Sequence, residues 1–184
     1  MSESNYFSQY FETISKSLKS IDLAQLKKAA TMVWAVHKSG KKIILVGNGG
    51  SAAMASHVAV DFTKAAGIRA INFNEADLIT CFANDYGYEN WVVEAIKAYT
   101  DNNDLIILIS SSGTSKNIVN AAHYCKSNKI NLITLSGFNK NNPLSKLGNI
   151  NFHINSNEYN FIEMSHHIIL LALVDMVAKK NVFN

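Results

Sequence analysis

The chain has one proline, Pro143, and two cysteines, Cys81 and Cys125, among 184 residues. So little proline excludes a polyproline linker, and no segment is of low complexity. The cysteines are far apart and form no CxxC pair, which excludes a zinc-finger or disulfide framework. Basic residues never run beyond a pair (Lys27-Lys28, Lys41-Lys42, Lys179-Lys180), so the concentrated patch that nucleic acid requires is missing. The opening residues Met1-Ser2-Glu3-Ser4 are polar and acidic, unlike a signal peptide. No apolar run reaches the roughly 18–20 residues that span a bilayer. These absences predict a cytoplasmic protein that binds neither membrane nor nucleic acid.

What remains is an ordinary globular composition, 48% hydrophobic and 17% charged, with a formal charge of +3 that suits a small anionic ligand. The length fits one domain over residues 1–184, with helices in 1–40 and an α/β core in 41–184. Phe7, Phe11, Ile14 and Leu18 recur at helical spacing and predict a helix from Asn5 to Lys19. Asp22 with Gln25 resembles a capping box, and Leu26, Ala30, Val33 and Val36 carry a second helix to Ser39. The period then changes. Lys42–Val46, Ile68–Asn72, Asp104–Ile109, Asn131–Leu135 and Ile150–Ile154 are short apolar runs of strand type. Helical stretches alternate with them, over Ala52–Ala66, Asp77–Asn84, Trp91–Tyr99 and Ser115–Asn128. That alternation predicts a three-layer αβα sandwich on a five-stranded parallel sheet. Glu158 to Lys179 is a long helix, apolar on almost every face, as expected at a subunit interface.

Two strand-to-helix loops carry the chemistry. The first is Gly47-Asn48-Gly49-Gly50-Ser51, where glycine lets the backbone approach a ligand and the following helix start favours an anion. It is not a Walker loop, since no Gly-Lys-Ser/Thr follows, and it lacks GxGxxG spacing. The second, Ser110-Ser111-Ser112-Gly113-Thr114-Ser115, sets five hydroxyls in six residues at a helix start. One hydroxyl suffices for an N-cap, so five point to a phosphate held by neutral donors. Both loops leave the carboxyl ends of strands, where open parallel sheets bind ligands.

Three segments, taken in order, resemble the sugar isomerase (SIS) domain family in its phosphoheptose isomerase branch. They are Gly47–Ala53 with His57, then Ala83-Asn84-Asp85-Tyr86-Gly87-Tyr88, then Ile109–Ser115. The resemblance implies a SIS fold with two leading helices and a long C-terminal helix, assembled as a homotetramer. It implies that Ser110, Ser111, Ser112 and Ser115 hold the sugar phosphate. Asn48, Gly49, Gly50, Ser51 and Asp85 would contact the sugar or shape its pocket. It also implies isomerisation of a ketose to an aldose phosphate through an enediol, with a glutamate base and a histidine acid that, with a histidine and a glutamine, can hold zinc.

The catalytic positions match in part. The family histidine of the first helix is His57, and the glutamate four residues on is Asp61. The last helix keeps Glu163, but Ile162 stands at the glutamine position, Leu170 at the histidine position, and Ala65 at an arginine position. His57 and Asp61 share a helix face and suit an acid–base or metal pair. His166 lies on the stripe of Ile162 and Leu170 and is the candidate replacement acid, while His167 lies about 100° round the helix. Zinc takes three or four protein ligands, and only His57 and Asp61 remain, so no cofactor is expected to be required and zinc would be held tightly only if His166 reaches in. The sequence thus predicts an isomerase of sedoheptulose 7-phosphate or a related sugar phosphate, with Asp61 and His166 as its catalytic pair. A non-catalytic relative that binds a sugar phosphate or a protein partner is the alternative.

Overall fold

A computed structural model describes residues 3–179. Met1, Ser2 and residues 180–184, including Lys180 of the last basic pair, lie outside the described residues. The aliphatic runs form five strands: β1 (Lys42–Val46), β2 (Arg69–Asn72), β3 (Leu105–Ser110), β4 (Asn131–Ser136) and β5 (Ile150–His153). The helices are α1 (Glu3–Lys19), α2 (Leu23–Lys38), α3 (Gly50–Lys64), α4 (Ala76–Tyr86), α5 (Trp91–Tyr99), α6 (Lys116–Ser127) and α7 (Tyr159–Ala178). A short 3-10 turn, Leu144–Lys146, follows Pro143. The strands are all parallel, in the order β2-β1-β3-β4-β5. This is the expected αβα architecture.

Alternate strand residues serve opposite layers, as the two-residue period of a strand requires. Ile43, Leu45, Leu105, Ile107, Ile109, Ile133 and Leu135 pack with Val33, Val58, Phe62, Ile169 and Leu173 of α2, α3 and α7. Ile44, Val46, Ile106, Leu108 and Leu132 pack with Trp91, Ile96, Ile118 and Ala122 of α5 and α6. Both faces of the central strands are covered, so every residue of β3 is buried. Burial of each such aliphatic side chain contributes about 1.5–3 kcal/mol. At the N-terminal edge, Asp104 is 1% exposed. Its carboxylate accepts from the Lys42 and Asp101 N–H groups and pairs with Lys42 Nζ at 2.6 Å, tying β1 to the turn before β3.

The helix expected over Asp77–Asn84 extends to Tyr86, so Asp85 sits in its last turn. Gly87 stops it there with a φ of +81°. Cys81 is exposed, while Cys125 is buried in the α6 layer and its thiol is pushed up to about 12 by that burial. The long final helix is not buried all round. Its inner side meets the sheet, but Met164 and Ile168, one turn apart, are 43% and 44% exposed. By length and hydropathy alone α7 could cross a membrane, yet half of it is buried inside the domain, as in a core helix.

Candidate active site

The chain passes from β1 outward to β2, then returns across β1 to β3. The β1 and β3 ends therefore flank the point where the winding reverses, and both singled-out loops meet there. In the first, Gly47 cannot carry a side chain, because a Cβ would stand 2.6 Å from Ser51 Cβ. Gly49 takes φ +54° and precedes α3 without a side-chain cap. Asn48 and the buried Asn117 of α6 exchange amide hydrogen bonds of 3.0 and 2.9 Å, and Tyr88 Oη donates to Asn48 Oδ1 at 3.3 Å. The two loops are thus fastened by a reciprocal amide pair. Asn117 carries no signal in a single sequence, since nothing but the fold brings it to Asn48.

The serine loop is pinned from behind. Gly113 N–H donates to Ser110 O, Gly137 N–H to Ser111 O at 2.8 Å, and Leu144 N–H to Gly113 O. Gly113 has φ +67°, and a Cβ there would lie 2.0 Å from Asn142 Oδ1, so glycine is required twice over. Forward of this frame, Ser110 Oγ donates to Ser115 Oγ at 3.0 Å, and Ser112 Oγ accepts from Thr114 N–H and Oγ1. Among the described residues the buried Ser111 hydroxyl has no hydrogen-bond partner. Ser115 precedes α6, and its side chain makes no capping bond to a first-turn N–H. Two uncapped helix starts and four serine hydroxyls therefore border one cavity of about 120 Å³, which Asn48, Ser51, Tyr159 and Glu163 also line. Helix starts and neutral hydroxyls are groups that can bind an anion. Larger hollows of about 500 and 710 Å³ lie at the N-terminal sheet edge and along β5, where no helix start meets a run of hydroxyls.

α3 carries a second group away from the cavity. His57 Nε2 stands 3.3 Å from Asp61 Oδ2, the expected face pairing. The imidazole brought to it is not His166 but His167, whose ring meets His57 edge to face with centroids 4.8 Å apart. Burial lowers the pKa of His167 and the neighbouring His57 lowers it further, while Asp61 opposes them. His166 points the other way. It is fully buried, and its Nε2–H donates to Ser136 O at 3.0 Å. Burial holds it neutral down to about 4, with the Ser136 carbonyl opposing and His153 adding slightly. The stripe shared by Ile162, His166 and Leu170 is the core stripe of α7: Ile162 and Leu170 are both 0% exposed, and Ile162 fills the space above Gly137. Asp85 is exposed, accepts from Asn84 Nδ2 and does not line the cavity.

Zinc does not fit these residues. Among the described residues no group of three or more His, Cys, Asp and Glu is placed to hold a metal ion.

Residues 7–137 match the SIS domain family. Phosphoheptose isomerase 2 of Campylobacter jejuni is 41% identical across a match that spans 61% of this chain and 59% of that relative. Phosphoheptose isomerase of Aneurinibacillus thermoaerophilus is 32% identical over 88% of this chain and 85% of its own length. The solved phosphoheptose isomerase of Francisella tularensis superposes with a TM-score of 0.87 at 22% identity, covering 97% of this chain and all of that one, and shares its fold. With its glycine and serine loops meeting at the sheet switch point, the chain belongs to the SIS domain family, in its phosphoheptose isomerase branch.

Proposed function

We propose that this protein isomerises a sugar phosphate between ketose and aldose forms, with sedoheptulose 7-phosphate or a close relative as substrate. The observation that carries the reading is the serine cavity with its two uncapped helix starts. Ser110, Ser111, Ser112 and Ser115 are proposed to hold the phosphate, with Asn48, Gly49, Gly50 and Ser51 forming the opposite wall. Gly50 and His57 are seven residues apart on α3, about 10 Å at the rise of an α-helix. A sugar chain anchored at the cavity and lying along α3 brings its far end to the His57, Asp61 and His167 group. There Asp61 is proposed to move the carbon-bound proton between C1 and C2, and His167 the hydroxyl proton. The reaction is redox-neutral within the substrate, so no redox cofactor is needed, and the donor set supports a metal-free route. The relatives' names favour this reading over a non-catalytic binding protein.

Deuterium incorporation into sedoheptulose 7-phosphate in D2O, followed by NMR, tests the isomerase reading. Exchange at C1 of the ketose and at C2 of its aldose product is expected, and its absence with a panel of sugar phosphates would leave only ligand binding. Replacing Ser112 by Ala should weaken sugar-phosphate binding by about 1–3 kcal/mol, the worth of a hydrogen bond to a charged group. Unchanged calorimetric affinity for single alanine variants at Ser110, Ser112 and Ser115 would remove the phosphate from this loop.

We further propose a homotetramer in the cytoplasm, where phosphorylated sugars are retained. α1 meets α7 through Tyr10 and Phe161 and has no buried residue, and its Tyr6, Phe7 and Phe11 are 54%, 58% and 65% exposed. That much aromatic surface suits contact with other copies of the chain. Sedimentation at micromolar concentration should give four times the chain mass. A monomer there contradicts the proposal.

A further inference from the structure

Glu163 stands on α7 one turn after Tyr159 and one turn before His167. Its carboxylate lies against the Cα of Gly50, where a Cβ would come within 2.5 Å of Oε2 and 3.1 Å of Oε1. The same side chain lines the serine cavity. Among the described residues it has no hydrogen-bond or ion-pair partner. A carboxylate beside an anion cradle repels the anion, and nothing in the surrounding packing needs its charge. An ionised carboxylate only accepts hydrogen bonds, so its partner must be a donor that arrives with the ligand. Phosphate oxygens do not supply one; the hydroxyls of a sugar chain do.

We infer that Glu163 is a specificity-determining residue that accepts a hydrogen bond from a hydroxyl of the substrate's carbon chain, between the anchored phosphate and the reacting end. The inference rests on the isomerase reading above and adds to it a substrate class: a phosphorylated chain that bears free hydroxyls along this wall, as against a bare phosphate. Placement supports it. Glu163 is level with the first residue of α3, beside the cradle, while the His57 and Asp61 pair lies two helical turns further on. The missing Cβ at Gly50 leaves the carboxylate its place, and a larger residue there would displace it.

Calorimetry on the full chain with two probes, inorganic phosphate and sedoheptulose 7-phosphate, tests this with Glu163→Gln and Glu163→Ala. Both variants should bind inorganic phosphate as well as the parent or a few-fold tighter, because a repelling charge is gone. Glu163→Ala should bind sedoheptulose 7-phosphate at least tenfold more weakly and Glu163→Gln, whose amide oxygen still accepts, by a smaller factor, with the loss of turnover appearing in KM more than in kcat. Equal weakening of the two probes, or no change in either, overturns the assignment. If the parent exchanges deuterium into sedoheptulose 7-phosphate and the variants match it in KM, the Glu163 role alone is lost. If the parent neither binds nor exchanges that sugar, the isomerase reading falls and the Glu163 role with it.

Discussion

Asp61→Asn should lower deuterium incorporation into the sugar phosphate by about 10²–10⁴-fold, the range that a positioned general base supplies. Phosphate affinity should stay at the parent value, because the serine cavity does not include Asp61. The asparagine keeps size and polarity but cannot take up a proton. The imidazole partner is identified by a paired comparison. His167→Gln should also cut kcat, because His167 lies against His57, which is 3.3 Å from the Asp61 carboxylate. It should alter the alkaline or acid limb of the pH profile as well, which a purely structural loss leaves in place. If Asp61→Asn retains parental exchange, the carbon-bound proton is moved by another group and Asp61 only orders His57.

Acid sensitivity should trace to His166. This imidazole is fully buried, and its pKa is lowered from 6.5 to about 4, first by burial. An unfolded chain takes up a proton as the pH falls through 6.5, while the folded chain keeps His166 neutral until about 4. The stability it contributes is therefore complete above pH 6.5 and is lost progressively between that pH and about 4. At about 1.4 kcal/mol per pKa unit the loss comes to about 3 kcal/mol. Urea midpoints measured across that interval should fall steeply for the parent and less steeply for His166→Gln. Glutamine can still donate to Ser136 O but has no titrating nitrogen. Parallel slopes for the two chains would show that other groups govern acid unfolding.

The two histidines show why some of the site was beyond the reach of sequence. Periodicity ranks residues by helix face, and it correctly joined His166 to Ile162 and Leu170. It could not say which face of α7 the sheet covers, because an almost wholly apolar helix offers no polar side to mark solvent. Packing decided that: the Ile162 stripe closes over Gly137 and the core, and His166 goes with it, neutral and bonded to Ser136. His167, read as lying off the stripe, is consequently turned toward α3 and His57.

Local chemistry by itself determined a good deal here. Short aliphatic runs alternating with helical stripes dictate parallel βαβ winding, since strands covered on both faces must be apolar throughout and their crossovers must be helices. Glycines between strand and helix, and five hydroxyls where one would cap, single out the two loops as the candidate anion site because those residue types act through the backbone and the oxygens beside it. Contacts between residues distant in the chain belong to the tertiary structure alone. The amide exchange of Asn48 with Asn117, the seat of Glu163 against Gly50, and the pairing of His57 with His167 each join two elements that only the folded sheet brings together. No periodicity within one segment records them, because each depends on how α3, α6 and α7 are placed around the ends of β1 and β3.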